Sequence, residues 1–219
     1  MFFRVLTQII NSAKSTNALV RNNSIQLFRT IIIRATSDEL LSSSVIELLS
    51  LPKTGKSSGP DHRIALYSML SFISPSSGVS AFILETATSL LAKETHEAAV
   101  AVLASALPPH FVFLSKTDLP IPAGMTPLIA KEMNSSKPAV RRAFATLAGR
   151  IFFEDGIDCS TGTLLEFAKT MLPAFESCLK TVAGNPLSSS GGPLEGYIAV
   201  AVLLGPLSRT GKFGTFIRK

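Results

Sequence analysis

Cysteine and histidine are scarce in this sequence of 219 residues, with two of the first and three of the second. Cys159 and Cys178 are too few and too far apart for a disulfide framework or a zinc site, which takes clustered ligands. They read as ordinary reduced thiols. His62, His96 and His110 fall on separate elements, with no pair at metal-ligand spacing and no HExxH. No serine sits in a GxSxG elbow and neither cysteine has an identifiable histidine partner, which argues against nucleophilic hydrolysis. Glu154, Asp155 and Asp158 form the one acidic cluster, but without the glycine-punctuated pattern of a calcium loop. It reads as a solvated loop. The expectation is a chain that is not an enzyme, with no catalytic residue, no cofactor and no metal.

Charge is scarce as well. Only 16% of the residues are charged against 46% apolar, which excludes the composition of disorder. The net charge of +6 comes from just 21 Lys and Arg, a mild lean toward an anionic partner such as RNA. It lacks the dense basic clusters of a dedicated nucleic-acid domain, so no DNA partner is expected. Long apolar runs are missing too: the stretches Ala98 to Pro109 and Ile198 to Leu207 fall short of the roughly 20 residues of a spanning helix. The opening MFFRVLTQII meets Asn11, Lys14 and Ser15 at once, with no small-residue cleavage signal after it. A cytoplasmic chain without a membrane segment is expected.

What the sequence has in quantity is helical periodicity. In SKPAVRRAFATLAGRI, Ser136 to Ile151, residues Val140, Phe144, Leu147 and Ile151 recur at spacings of four, three and four. They share one helix face, with Lys137, Arg141 and Arg150 elsewhere. Similar units stand at Ala18 to Ile32 and Glu97 to Leu107. Thr36 with Glu39 and Thr163 with Glu166 are spaced as capping boxes that start helices. The first pairs two helices as a unit, Asn17 to Ile33 with the helix that follows Thr36. Pro60 and Asp61 open another helix through Phe72. Pro108-Pro109 is read as ending a helix, leaving Phe111 to Leu114 as an apolar wedge under a loop. The GKS at Gly55 to Ser57 is no phosphate loop, since the first glycine would fall at Ser50 and no strand precedes it.

About ten helices with a period of roughly 40 residues, and no strand ladder, are the pattern of two-helix HEAT or armadillo-like repeats. The fold class expected is all-α, an α-solenoid. Residues 1–219 are expected to form one continuous helical-repeat segment. The apolar Phe2 to Ile10, which lacks a polar cap, reads as the edge of a longer solenoid of which this chain is a fragment.

Binding is therefore the better functional class. Lys131, Lys137, Arg141, Arg142 and Arg150 place positive groups on or beside one helix, where contacts to phosphates would position a complex without reading base sequence. Lys53, Lys56, Arg63, Lys137, Arg141 and Arg142 are the candidate contacts to a ribosome or another acidic partner. Arg141 reads equally well as a bond to the neighbouring repeat or its turn.

Three segments carry a family resemblance: LPKTGKSSGPDHRIALYSML at Leu51 to Leu70, His96 to Val102, and KPAVRRAFATLAG at Lys137 to Gly149. Together they resemble the N-terminal part of the very large HEAT-repeat general-control translational activators, in a fungal version. Lys56, Gly59, Pro60, Asp61, His62 and Arg63 are the most distinctive positions. The resemblance implies a cytosolic scaffold on translating, stalled or colliding ribosomes. With an ATP-binding-cassette partner, it promotes activation of the kinase of initiation factor 2 alpha during amino-acid starvation, as part of the integrated stress response. The kinase-binding segment of that family lies far toward the C terminus and is expected to be absent from this chain. The competing class is a protein-only helical-repeat adaptor that takes peptide or helix ligands in its groove.

Overall fold

The computed structural model describes residues 2–35, 37–53, 59–153, 166–167, 169–171, 173–174 and 177. Every regular element among them is an α-helix and none is a strand, so the fold is all-α. The chain divides into two compact units, Met1–His110 and Phe111–Lys219.

The first unit holds α1 (Phe2–Ser12), α2 (Ala18–Ile32), α3 (Asp38–Lys53), α4 (Pro60–Leu70), α5 (Ser80–Leu91) and α6 (Glu97–Ser105). Helix α1 packs on α2, α3 on α4 and α5 on α6, giving three helix pairs. The pairs stack in two layers: α1 on α3 on α5, and α2 on α4 on α6. This is the neighbour-on-neighbour arrangement of an α-solenoid. The unit therefore differs from the expected pairing of α2 with α3. Helix α2 packs on α1 and α4, and α3 on α1, α4 and α5. The reason lies in burial: a helix inside a stack carries apolar residues toward a pair partner and toward two layer neighbours, so adjacency in sequence does not choose among them.

Local chemistry sets the helix starts. The Asn17 side chain accepts the Leu19 amide at 2.9 Å and caps α2. Pro60 loses nothing at the first position of α4, and Asp61 meets the positive end of the helix dipole. Phe28 of α2, Leu48 and Leu49 of α3, and Leu66, Tyr67 and Met69 of α4 are all fully buried. Each removes enough apolar surface from water to stabilise the fold by about 1.5–3 kcal/mol.

Pro108 and Pro109 begin a helix instead of ending one. Helix α6 already stops at Ser105, where the Ala106 amide turns back to Leu103 and Ala104. Pro108 then opens α7 (Pro108–Lys116), whose first turn needs no proline N–H. Phe111, Val112 and Leu114 are accordingly buried helix residues, not a wedge under a loop. Glu97–Lys116 is long and apolar enough to cross a membrane by length and composition, but 61% of its most apolar window is buried inside the fold. The turn at Ala106–Leu107 also divides it. Both are marks of core helices.

In the second unit α8 (Met125–Glu132) packs on α9 (Pro138–Phe153). The α9 face is buried as its spacing predicts, with Val140, Phe144, Leu147 and Ile151 each no more than 6% exposed. Phe167, Met171 and Ala174 are also buried, and the rings of Phe111 and Phe167 meet at 4.8 Å between centroids and 57°. After α7, Asp118 adopts φ 54° and the Leu119 amide reaches back to the Leu114 carbonyl at 2.9 Å, a left-handed helix end. Thr36 and Thr163 of the two capping boxes, the GKS loop, the acidic loop at Glu154 to Asp158 and both cysteines lie outside the described residues.

Candidate functional site

In α2, α4 and α9 the fourth helical residue is arginine: Arg21, Arg63 and Arg141. A cation one turn into a helix can reach back to the chain segment that precedes it or sideways to the next helix pair. Arg21 does both. Its guanidinium donates to the carbonyls of Ser15 at 2.9 Å and Thr16 at 2.8 Å, and to Asp61 of α4 at 3.0 Å. Arg141 repeats the first contact, donating to the Ser135 carbonyl at 2.7 Å across the same six-residue separation. Of its two expected roles, the tie to its own turn is thus present.

Arg63 makes the strongest of these contacts. Its Nε lies 2.7 Å from Glu94 Oε2 and its Nη2 3.0 Å from Oε1, a bidentate pair with Glu94 only 4% exposed. Glu94 Oε1 also accepts the amides of Thr95 and His96, both at 3.0 Å, and the Tyr67 hydroxyl stands 3.5 Å from Oε2. Burial alone would raise the Glu94 carboxyl, but the bonds from Arg63 and the two amides outweigh it and hold Glu94 below the usual carboxylate range. The bond to Glu94 holds Arg63 above its ordinary value against burial. Burial and the Glu94 charge push the Tyr67 phenol up. These groups line a cleft of about 580 Å³ together with Lys93. The Glu94 carboxylate is held by a guanidinium and two backbone amides with a phenol beside it, which gives a structural tie rather than an acid or base poised for chemistry.

The other expected contact residues are placed as follows. Lys53 closes α3, and Lys56 lies outside the described residues. Lys137 immediately precedes α9 and is exposed, as is Arg142. Lys131, at the end of α8, is 78% exposed and 3.6 Å from Glu132. The α8–α9 segment carries Lys131, Lys137, Arg141, Arg142 and Arg150, and the single carboxylate among the described residues of these two helices is Glu132. Lys137, Arg141 and Arg142 belong to the second unit and Arg63 to the first. Sequence reasoning missed Arg21, Asp61 and Glu94 as a set. The signal available was the repeated arginine at the fourth helical position.

His110 is a buried titratable group apart from this cleft. It is 1% exposed, with Nδ1 3.1 Å from the Ser80 hydroxyl, and burial pushes its pKa down to about 4. A neutral imidazole sealed in the core against one hydroxyl is a packing element. No group of three or more His, Cys, Asp or Glu able to hold a metal occurs among the described residues.

Comparison with known proteins identifies one family. The model of the general control nonderepressible 1 (Gcn1) N-terminal family matches residues 60–219, more than two thirds of the chain. No curated protein and no solved structure matches. The matched range begins at Pro60, the first residue of α4, and takes in both the Arg63–Glu94 tie and the basic α8–α9 pair. This stack of helix pairs, tied by arginines at a common helical position, belongs to the Gcn1 N-terminal family.

Proposed function

We propose that the chain is a non-catalytic scaffold segment of a fungal Gcn1-type translational regulator, acting in the cytoplasm at the ribosome. The observation that carries this reading is the family match over residues 60–219. The basic α8–α9 pair supplies the chemistry: Lys137, Arg141 and Arg142 meet phosphates, with Lys53, Lys56 and Arg63 as further contacts from the first unit. Such contacts position a complex and are weakened by salt. In this reading the 219 residues form one continuous stack within a longer solenoid. The whole regulator, with an ATP-binding-cassette partner, promotes activation of the initiation factor 2 alpha kinase, while this segment lacks the kinase-binding part.

Co-sedimentation with ribosomes tests the reading. Wild-type chain should pellet with ribosomes at low salt and be released as salt rises, and the double variant Lys137→Glu/Arg142→Glu should lose most of the bound fraction. Arg141 stays untouched in that variant because it ties its own turn. Failure of the wild-type chain to pellet at any salt concentration, or equal pelleting of the charge-reversed variant, would refute it.

A further inference from the structure

The cleft of about 580 Å³ lies between the second and third helix pairs, where α5 turns into α6, and not on an end face of the stack. Its lining comes from three places: Arg63 and Tyr67 of α4, Ser89 and Leu90 of the last turn of α5, and Lys93, Glu94 and Thr95 of the turn that follows. The volume falls within the roughly 300–1,000 Å³ of sites that hold small molecules. Glu94 is engaged on both oxygens. Its Oε1 accepts Arg63 and the Thr95 and His96 amides, and its Oε2 accepts Arg63 with the Tyr67 phenol beside it. Because the Arg63 guanidinium matches that carboxylate, the charge left over among the described lining residues is that of Lys93, which is exposed and has no ion pair among the described residues.

Arg63 adds a second kind of surface. A guanidinium is planar, and its bonds to Glu94 run in that plane from one edge, while the Arg63 side chain keeps 23% of its area in solvent. A plane engaged along its edge still has faces, and guanidinium faces stack on aromatic rings. The cleft therefore combines a planar platform, an ammonium group and the hydroxyl residues Ser89 and Thr95 beside the apolar Leu90. A planar ring that carries hydrogen-bonding groups and is joined to an anion meets all of them, and that is the chemistry of a nucleotide. We infer that the cleft takes one unstacked nucleotide of a single-stranded RNA, with its base on the face of Arg63, its phosphate on Lys93, and Ser89 and Thr95 beside the sugar and the base edge. The assignment rests on the ribosome reading and sharpens it, because Arg63, already paired with Glu94, meets RNA through its face and not through its charge. A duplex keeps its bases stacked on one another and leaves the platform uncovered.

The full 219-residue chain is titrated into fluorescein-labelled hexa-adenylate RNA and, as the reference, into a hexamer of abasic sugars carrying the same charge, with fluorescence anisotropy as the readout. The hexa-adenylate should bind about tenfold more tightly, the contribution of one stacked base. Ser89→Leu, which fills the cleft from an exposed position on α5, should abolish that ratio. Lys93→Ala should weaken hexa-adenylate binding several-fold and reduce the slope of log affinity against log salt by about 0.7, the value of one single-strand phosphate contact. Both positions are exposed, so the fold should survive each change, which circular dichroism reports. Lys137→Glu/Arg142→Glu should weaken both hexamers alike and leave their ratio intact. Preference for hexa-adenylate without ribosome pelleting supports the cleft and sinks the ribosome reading alone. Equal affinity for the two hexamers overturns the inference even where the chain pellets with ribosomes. So does a ratio that survives Ser89→Leu, an affinity that Lys93→Ala leaves unchanged, or binding of an acidic tyrosine-containing peptide in the cleft without binding of the RNA.

Discussion

Acid should loosen the first unit through one residue. His110 is fully buried beside Ser80, and its folded pKa of about 4 lies below the 6.5 of an unperturbed imidazole. Between those values the unfolded chain binds a proton that the folded chain refuses. Stability is therefore complete above pH 6.5 and is lost as pH falls toward 4. With 1.36 kcal/mol for each pH interval, the loss approaches about 3 kcal/mol at the acid limit and is about 2 kcal/mol at pH 5. His110→Gln removes the titration while keeping an amide able to bond the Ser80 hydroxyl. Urea unfolding at pH 7 and pH 5 would be compared for the two chains. Amide exchange at Ile83 and Leu84 would report from the same unit. Wild type should lose about 2 kcal/mol more than the variant between the two pH values, since contributions of all other groups cancel in the difference. Equal losses would refute the assignment of a neutral, sealed imidazole, whatever the absolute stability of the variant.

Variants at three further positions test the arginine ties and the turn after α7. Arg63→Met should destabilise the first unit by about 2 kcal/mol in urea unfolding, less than a fully sealed pair because the Arg63 side chain is 23% exposed and screened. The pair's contribution is present above the usual carboxylate range and fades as pH falls through the lowered Glu94 value, so Arg63→Met should flatten the acid limb of the stability curve. Arg141→Ala should cost about 1–2 kcal/mol through loss of its bond to the Ser135 carbonyl, measured by thermal unfolding, and should do so without any ribosome present. Asp118→Gly should leave stability unchanged or raise it by up to about 1 kcal/mol, whereas Asp118→Val should lower the melting temperature, because only the former suits φ 54°.

The α9 face could be read from sequence because Val140, Phe144, Leu147 and Ile151 obey a helical period and each is buried as that period requires. The all-α class follows from the same signal repeated along the chain. Partner choice was not legible: α3 buries Val45, Leu48 and Leu49 among several neighbours, and a one-dimensional pattern does not say which helix covers which residue. The Pro108-Pro109 pair is equally compatible with the end of one helix and the start of the next, and burial of Phe111 decides for the start. At the candidate site, Arg63 reads as a solvent-facing cation of a helix's first turn. Its carboxylate stands 31 residues later on the turn before α6, a distance with no sequence periodicity. The fringe of Lys137, Arg141 and Arg142 was visible because it lies on one short helix, although the internal bond made by Arg141 was only one of two equal readings.

The charged ties are distributed unevenly across the first unit. Arg21–Asp61, Arg29 over Phe72 and Arg63–Glu94 all cross from one helix pair to the next on the side of α2, α4 and α6. On the other side α1 meets α3 through Thr7 and Glu47 at 2.9 Å beside apolar contacts. Interdigitated apolar packing holds both sides in register, and on the α2, α4 and α6 side directional bonds among the described residues add to it. The first unit is thus built like a laminated strip, stiffer along one ply than along the other. Under a sideways load it should bend about the arginine-tied ply, with α1, α3 and α5 fanning apart or closing up while α2, α4 and α6 keep their register.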